Sequence, residues 1–270
     1  MLTLAVLNYN GKGYLEDCLK SVGNIPDEKL LIDNNSDDES WKIAEDYGFK
    51  VIHADNLCQF ITGINCALKS ASSEYILFTQ GDVRFEPGSI QELYNNAIVH
   101  QNSIIQPVFI RPGYGIDNAG MNLIWPAYGI GIRKIKSASV YKTDVATSIT
   151  FITTLEVIQK VGLYDEKFAP AYLEDVDWAL RSRPFGVRHL VCPKAFVTHR
   201  HNESFSKKYS KLDISRICRK NRKYLVRKHY RGFWGIVASA VTAMLDVTKE
   251  TIDVITQWWR SSYKWHKFMI

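Results

Sequence analysis

The residues best able to do chemistry in this chain are carboxylates, carboxamides and histidines set at a few places. Asn8-Tyr9-Asn10, Asp33-Asn34-Asn35, Asp55-Asn56 and Gln80-Gly81-Asp82 each close an apolar run. Glu174-Asp175-Val176-Asp177 packs three carboxylates into four residues, and His199-Arg200-His201 follows a further apolar run. An aspartate with a histidine suits a hard divalent cation such as magnesium or manganese. Clustered acids repel one another, which raises the pKa of one toward the range a general base needs. The same acids also suit a helix N-terminus through its dipole. The cluster alone therefore admits a catalytic and a capping reading. Asn and Asp are common turn formers, but four such groups along one edge predict a polar binding crevice.

The elements that must hold these groups alternate. Residues 3–8 read as a buried strand, and Tyr14, Leu15, Cys18, Leu19 and Val22 then recur at helical spacing. Residues 29–33, 50–53 and 74–79 are further strands. Helices between them carry Ile43 and Ala44, then Ile61, Ile64, Ala67 and Leu68. Ser36 with Glu39 and Ser89 with Glu92 read as capping boxes. Strands separated by single helices imply a parallel sheet, and such sheets bind ligands at their carboxyl ends. Residues 106–133, rich in Gly, Pro and Asn, read as a substrate-facing loop with short strands. A helix over 154–161 ends at Gly162, and another opens on the acids, with Trp178 in its core. Two strands, 187–191 and 195–198, lead to His199.

In this order the pieces resemble family-2 glycosyltransferases of the GT-A fold, in the bacterial rhamnosyltransferase-like group. The matching residues are Leu4 to Gly11, Ile32 to Asp37, Asn56 with Gly63 and Asn65, Gln80 to Val83, Leu173 to Asp177 with Arg181, and His199. A weaker echo is Arg219-Lys220-Asn221-Arg222. The resemblance implies an α/β fold with a mostly parallel central sheet flanked by helices. It implies a catalytic domain over 1–204, with a nucleotide-sugar half (1–110) and an acceptor half (111–204). A C-terminal helical extension, basic and aromatic-rich, takes up 205–270.

Roles follow from the resemblance position by position. Asn8, Tyr9, Asn10, Asp33, Asn35, Asn56, Gly63, Asn65, Gly81 and Asp82 would bind the nucleotide-sugar, Asp33 accepting from base or ribose. Gly11 would allow close backbone approach. Asp82 matches the last acid of the D-x-D metal motif, whose first position here is Gln80, and His199 matches a late histidine reaching the same metal or diphosphate. Asp175, with Glu174 beside it, matches the general base. A divalent metal, Mn2+ or Mg2+, would offset the charge of a diphosphate leaving group. Inversion needs a carboxylate to take the acceptor proton on the opposite face. The implied reaction moves a hexosyl or deoxyhexosyl group from a dTDP- or UDP-sugar to a glycan or lipid-linked saccharide in cell-surface polysaccharide or lipopolysaccharide synthesis.

Composition narrows the alternatives. The 270 residues are 46% hydrophobic and 23% charged, which excludes a disordered or collagen-like chain. Five cysteines without a C-x-x-C pair argue against a disulfide framework and for a reducing compartment. The N-terminus opens on a strand-like run without a signal core, and no apolar run reaches membrane-spanning length. The expectation is a cytoplasmic protein, peripheral on the inner face of the plasma membrane. The net charge of +6 gathers in residues 200–231, with twelve Lys or Arg against Glu203 and Asp213, and four of seven tryptophans lie in the last 37 residues. Such a tail suits an anionic membrane surface, a second subunit or the catalytic body. A nucleotidyltransferase lacks its Gly-rich phosphate loop here, and a dehydrogenase lacks G-x-G-x-x-G. A nucleic-acid binder lacks a recognisable module, so no nucleic-acid partner is expected. An inactive relative is the remaining alternative, motivated by Gln80.

Overall fold

The computed structural model describes residues 1–54, 59–200 and 209–246. Strand β1 (Leu2–Asn8) is apolar along its length and buried at every position, as a central strand covered on both faces must be. It pairs in parallel with β2 (Glu28–Asp33) on one side and β4 (Tyr75–Gln80) on the other, and β2 pairs in parallel with β3 (Lys50–His53). Helices α1 (Leu15–Val22), α2 (Trp41–Asp46) and α3 (Phe60–Ser70) make the crossovers. The register sets Asn8 beside Asp33 and Leu7 beside Gln80, so the polar strand ends share one edge.

After β5 (Val83–Phe85) and α4 (Ser89–Val99) the sheet becomes mixed. β11 (Thr150–Thr154) runs antiparallel between β4 and β6 (Ser103–Arg111). β12 (Arg188–His199) runs parallel to β6 and antiparallel to β10 (Tyr141–Lys142) and β5. β7 (Gly115–Asn118) pairs with β6, and β8 (Met121–Ile124) with β9 (Tyr128–Gly131) makes a separate hairpin. Helices α5 (Leu155–Val161), α6 (Glu174–Ser182) and α7 (Lys211–His229) follow, with α8 over residues 232–246.

The sheet separates two cores. One gathers Ile61, Ile64, Val157, Trp178 and, from α7, Leu225 and Val226. The other gathers Leu15, Leu19, Ala44 and Leu93 from α1, α2 and α4. Trp178 is core, as its helical spacing predicts. Among the described residues no helix is long and apolar enough to cross a membrane. Cys18, Cys66, Cys192 and Cys218 are free thiols.

Three local expectations need correction. Helix α2 starts at Trp41, not after Ser36, because the Ser36 hydroxyl is taken up by Asp33. The N-cap of α4 is Gly88, at φ 83°, while the Ser89 hydroxyl exchanges hydrogen bonds with the backbone of Phe196. The two strands expected at 187–198 are one strand with a bulge between Val191 and Phe196. In the first two cases another partner took the hydroxyl that the local signal assigned to a cap. By contrast, Thr154 caps α5 through its side chain, and Gly162, at φ 80°, ends it as expected.

Candidate active site

At the β1 and β2 ends, side chains brace one another. Asn8 is fully buried and its Nδ2 donates to Asp33 Oδ1 (3.1 Å), Ser36 Oγ (3.2 Å) and Ser40 Oγ (2.8 Å). Asp33, 1% exposed, also accepts from the Ser36 hydroxyl (2.6 Å) and the Ser36 amide (3.1 Å). A Cβ on Gly11 would stand 2.2 Å from Asn8 Oδ1, so only glycine fits against this cradle. Asn10 sits at positive φ with its Oδ1 accepting from the Asp37 amide (2.8 Å). These residues fix the floor of the crevice.

Above that floor lies a cavity of about 500 Å³. Tyr9, Gly81, Asp82, Glu174, Asp175 and His199 line it, so six of the residues expected from sequence meet in one space. The 117 positions between Asp82 and His199 are bridged by pairing: β5 and β12 run antiparallel with Val83 opposite His199. Asp82 Oδ2 thus lies 3.4 Å from His199 Nε2, and both side chains are buried. Gly81 keeps the chain close, since a Cβ there would be 3.3 Å from the Leu7 carbonyl oxygen.

The start of α6 forms a further part of the cavity wall. Tyr172 and Leu173 adopt positive φ, 79° and 69°, conformations that cost energy in non-glycine residues and recur at functional sites. They turn Glu174 and Asp175 toward the cavity. Burial raises the pKa of Glu174, whose Oε1 accepts from the Ser148 hydroxyl at 2.6 Å. Burial and the neighbouring Glu174 raise that of Asp175. Two adjacent carboxyl groups in that setting titrate as a pair. Asp177, the third acid, belongs elsewhere. It is wholly buried, Oδ2 accepting from Arg181 Nε (2.8 Å), with Lys228 Nζ (2.8 Å) and His229 Nε2 (2.7 Å) at Oδ1. Burial alone would raise its pKa, but hydrogen bonds from His229, Lys228 and Arg181 bring it down to about 2. It is an anchor between α6 and α7.

Helix α7 reaches the site twice more. Asn221 Nδ2 donates to the carbonyls of Phe168 (2.7 Å), Ala171 (2.9 Å) and Tyr172 (2.9 Å), holding the loop that launches α6. Arg222 lines the cavity, its guanidinium 4.3 Å from the Tyr128 ring centroid and paired with Asp246.

Several expected binding residues lie elsewhere. Gly63 lets α3 pack on β1, where a Cβ would meet Leu7 at 2.5 Å. Asn65 spends both ends of its carboxamide on the backbone of Tyr164 (2.9 Å each way). Asn35 is exposed at φ 64°, while its neighbour Asn34 is buried and lines the cavity. Asn56 falls outside the described residues. Sequence reasoning set Asn34 at the crevice edge without a role of its own, missed Tyr128 and Ser148 as wall residues, and weighed Arg222 only as an echo. Arg222 stands beside an asparagine in a helix otherwise full of solvent-facing cations, and that pairing was the available signal.

The donor set fits a divalent cation only in part. Among the described residues no three His, Cys, Asp or Glu side chains gather as a complete metal site. Asp82 and His199 form a pair, and Asp82 Oδ1 is buried with no hydrogen bond among the described residues. Magnesium-type ions need no more than one or two protein carboxylates when substrate phosphates complete the shell. The pair fits that arrangement.

Comparison with known proteins matches the family model described as Glycosyl transferase family 2 to residues 3–157. Among solved structures, GalNAc-T7 with UDP, GalNAc and Mn2+ superposes at TM-score 0.67 and 16% identity, over 82% of this chain and 47% of GalNAc-T7. S. aureus TarS 1–349 in complex with UDP-GlcNAc superposes at 0.59 and 17% identity, over 84% of this chain and 66% of that one. Against longer TarS the values are 0.57 and 16%, over 84% and 39%. The chain spans under half the length of GalNAc-T7 and of that longer TarS. At these identities the likeness is one of fold, here the GT-A fold.

Proposed function

This chain belongs to glycosyl transferase family 2, and we propose that it moves a hexosyl or deoxyhexosyl group from a UDP- or dTDP-sugar to a glycan hydroxyl with inversion. The observation that carries the reading is the single cavity into which the Asp82–His199 pair and the Glu174–Asp175 pair both open. A diphosphate leaving group and a proton acceptor must face one reacting carbon from opposite sides. This cavity supplies groups of both kinds.

In this reading Tyr9, Asn34 and Gly81 receive the nucleotide at the strand edge, over the floor that Asn8 and Asp33 brace. Asp82 and His199 would hold Mn2+ or Mg2+, which when bound neutralises charge building on the diphosphate. Arg222 adds a fixed cation at the same cavity. Asp175 takes the proton from the acceptor hydroxyl, and its raised pKa suits that task. Glu174, held by Ser148, sets the charge next to it. The acceptor is a saccharide of cell-surface polysaccharide synthesis, lipid-linked, and the basic, aromatic-rich C-terminal segment favours a place on the cytoplasmic face of an anionic membrane.

A panel of UDP-, dTDP- and GDP-sugars, each with and without manganese, tests this by thermal melting. A ligand at about 100 times its Kd should stabilise the native state by about 2.7 kcal/mol. The expected result is a shift with one nucleotide class that grows with manganese. Identical melting with every nucleotide would overturn the reading.

A further inference from the structure

Helix α8 and the β8–β9 hairpin join in one exposed apolar face. Ile124, Trp125 and Ile130 from the hairpin and Phe233, Trp234 and Ile236 from the start of α8 are all exposed, Phe233 and Ile236 at 71%. The two pieces are locked together. The Trp125 ring meets Trp234 edge-on at 6.4 Å and Tyr230 at 6.2 Å, and the Tyr230 hydroxyl donates to the Pro126 carbonyl at 2.6 Å. At the far end Asp246 pairs with Arg222 and accepts from Tyr128 (3.5 Å).

Residues 232–245 contain no charged side chain. Ala238, Thr242 and Asp246, four apart, form the buried face of α8, so its outer face is apolar as well. A helix apolar all round needs an apolar medium on its second side. The surrounding charge is mostly positive, with Asp144 at Leu123 and Asp246 paired with Arg222 as the nearby acids. Residues 118–143 hold four Lys or Arg, residues 214–245 hold eight, and neither stretch holds an Asp or Glu. Two copies meeting through this face would bring like charges together, whereas an anionic surface complements it.

We propose that this face docks on an anionic bilayer, with α8 and the hairpin tip lying in the headgroup region. Asp246, buried and paired with Arg222 of α7, holds α8 against the body along its described length, so α8 lies along the interface. Tryptophans beside basic residues are the side chains that settle there. The hairpin ties docking to the cavity. Met121, Tyr128 and Gly129 line the cavity, and the exposed Ile124 and Ile130 belong to the same two strands. Resting on the transferase reading, the acceptor is then a saccharide tethered to that bilayer and presented where the hairpin borders the cavity.

Co-sedimentation of the full-length chain with vesicles tests the docking. Vesicles of phosphatidylcholine with about one-third phosphatidylglycerol should pellet the protein at least about tenfold better than phosphatidylcholine alone. Phe233→Glu with Ile236→Glu, and separately Trp125→Glu in the hairpin, should each lower binding about tenfold or more while circular dichroism melting stays near wild type. The highly exposed α8 pair keeps the test decisive if the Trp125 variant fails to fold. Wild-type sedimentation by the α8 variant, or no sedimentation of the parent chain, overturns the proposal. So does a lipid-free dimer in sedimentation velocity that the α8 variant dissociates, which would assign the face to a second copy. Nucleotide-dependent melting of the same proteins is read separately. Its absence would sink the transferase reading and leave docking standing.

Discussion

Replacing Asp177 by asparagine separates the anchor from the acids that line the cavity. The side chain is 0% exposed and meets Arg181, Lys228 and His229 within 2.8 Å. Its pKa falls from the ordinary 3.8 to about 2. At about 1.4 kcal/mol for each pH unit, the ionised form in the folded state is favoured by roughly 2 kcal/mol. Asn keeps the shape and removes the charge, so Asp177→Asn should cost about 2 kcal/mol at pH 7. For a chain of this size that lowers Tm by about 4–8 °C. Because the folded pKa is depressed, the stabilisation is fully present above the unfolded value near 4. It is lost as pH falls through about 2. Urea denaturation of both proteins across that range should show the gap closing as acid neutralises the wild-type carboxylate. Equal stability at pH 7, or a gap that does not change with pH, would refute the anchor assignment. Lys228→Met should destabilise too, and the double variant should lose less than the two losses added.

The other predictions concern the cavity. Asp175→Asn should lower turnover by about 10²-fold or more. Since the folded pKa of Asp175 is raised, its ionisation costs stability as pH climbs above the unfolded value, so this variant should melt no lower than wild type at neutral pH. Undiminished turnover would remove Asp175 as the base. For the wild type, kcat/KM should rise with pH through an apparent pKa above the usual carboxylate range, and a flat profile from pH 5 to about 8 would contradict it. Asp82→Ala should abolish the manganese-dependent part of any nucleotide melting shift; equal manganese responses would show that Asp82 is not a ligand. Gly11→Ala drives a Cβ into Asn8 Oδ1 and should destabilise by about 1–3 kcal/mol in urea melts, and a wild-type midpoint would count against the cradle.

The N-terminal half was legible because one covalent rhythm produces it. Apolar runs closed by Asn or Asp become strands whose ends align when the crossovers are short, and Asn8, Asp33, Gln80 and Asp82 fell where expected. Which polar group faces the cavity was not legible. Asn34 and Asn35 are chemically identical neighbours, and a positive φ decides which one is turned out. Ser36 and Ser89 carry a capping pattern, yet their hydroxyls go to Asp33 and to the Phe196 backbone, partners chosen by the fold. The three acids of α6 looked equivalent in the chain. Helical geometry divides them, with Glu174 and Asp175 toward the cavity and Asp177 toward α7. Ser148, Tyr128 and Arg222 come from the antiparallel and C-terminal parts, where pairing joins distant positions and no spacing rule applies.

The grip of Asn221 on the carbonyls of Phe168, Ala171 and Tyr172 also sets when, during synthesis, the loop that launches α6 can be fixed. Translation delivers the strand edge bearing Asp82 first, then the acids, and only later the residue that holds their loop in place. At about 5–20 residues per second, the roughly 140 positions from Asp82 to Asn221 take on the order of 7 to 28 seconds to synthesise. During that interval the loop that launches α6 lacks the Asn221 hydrogen bonds that hold it. On the proposed reading, the base Asp175 is therefore positioned only once the C-terminal helix α7 has been made.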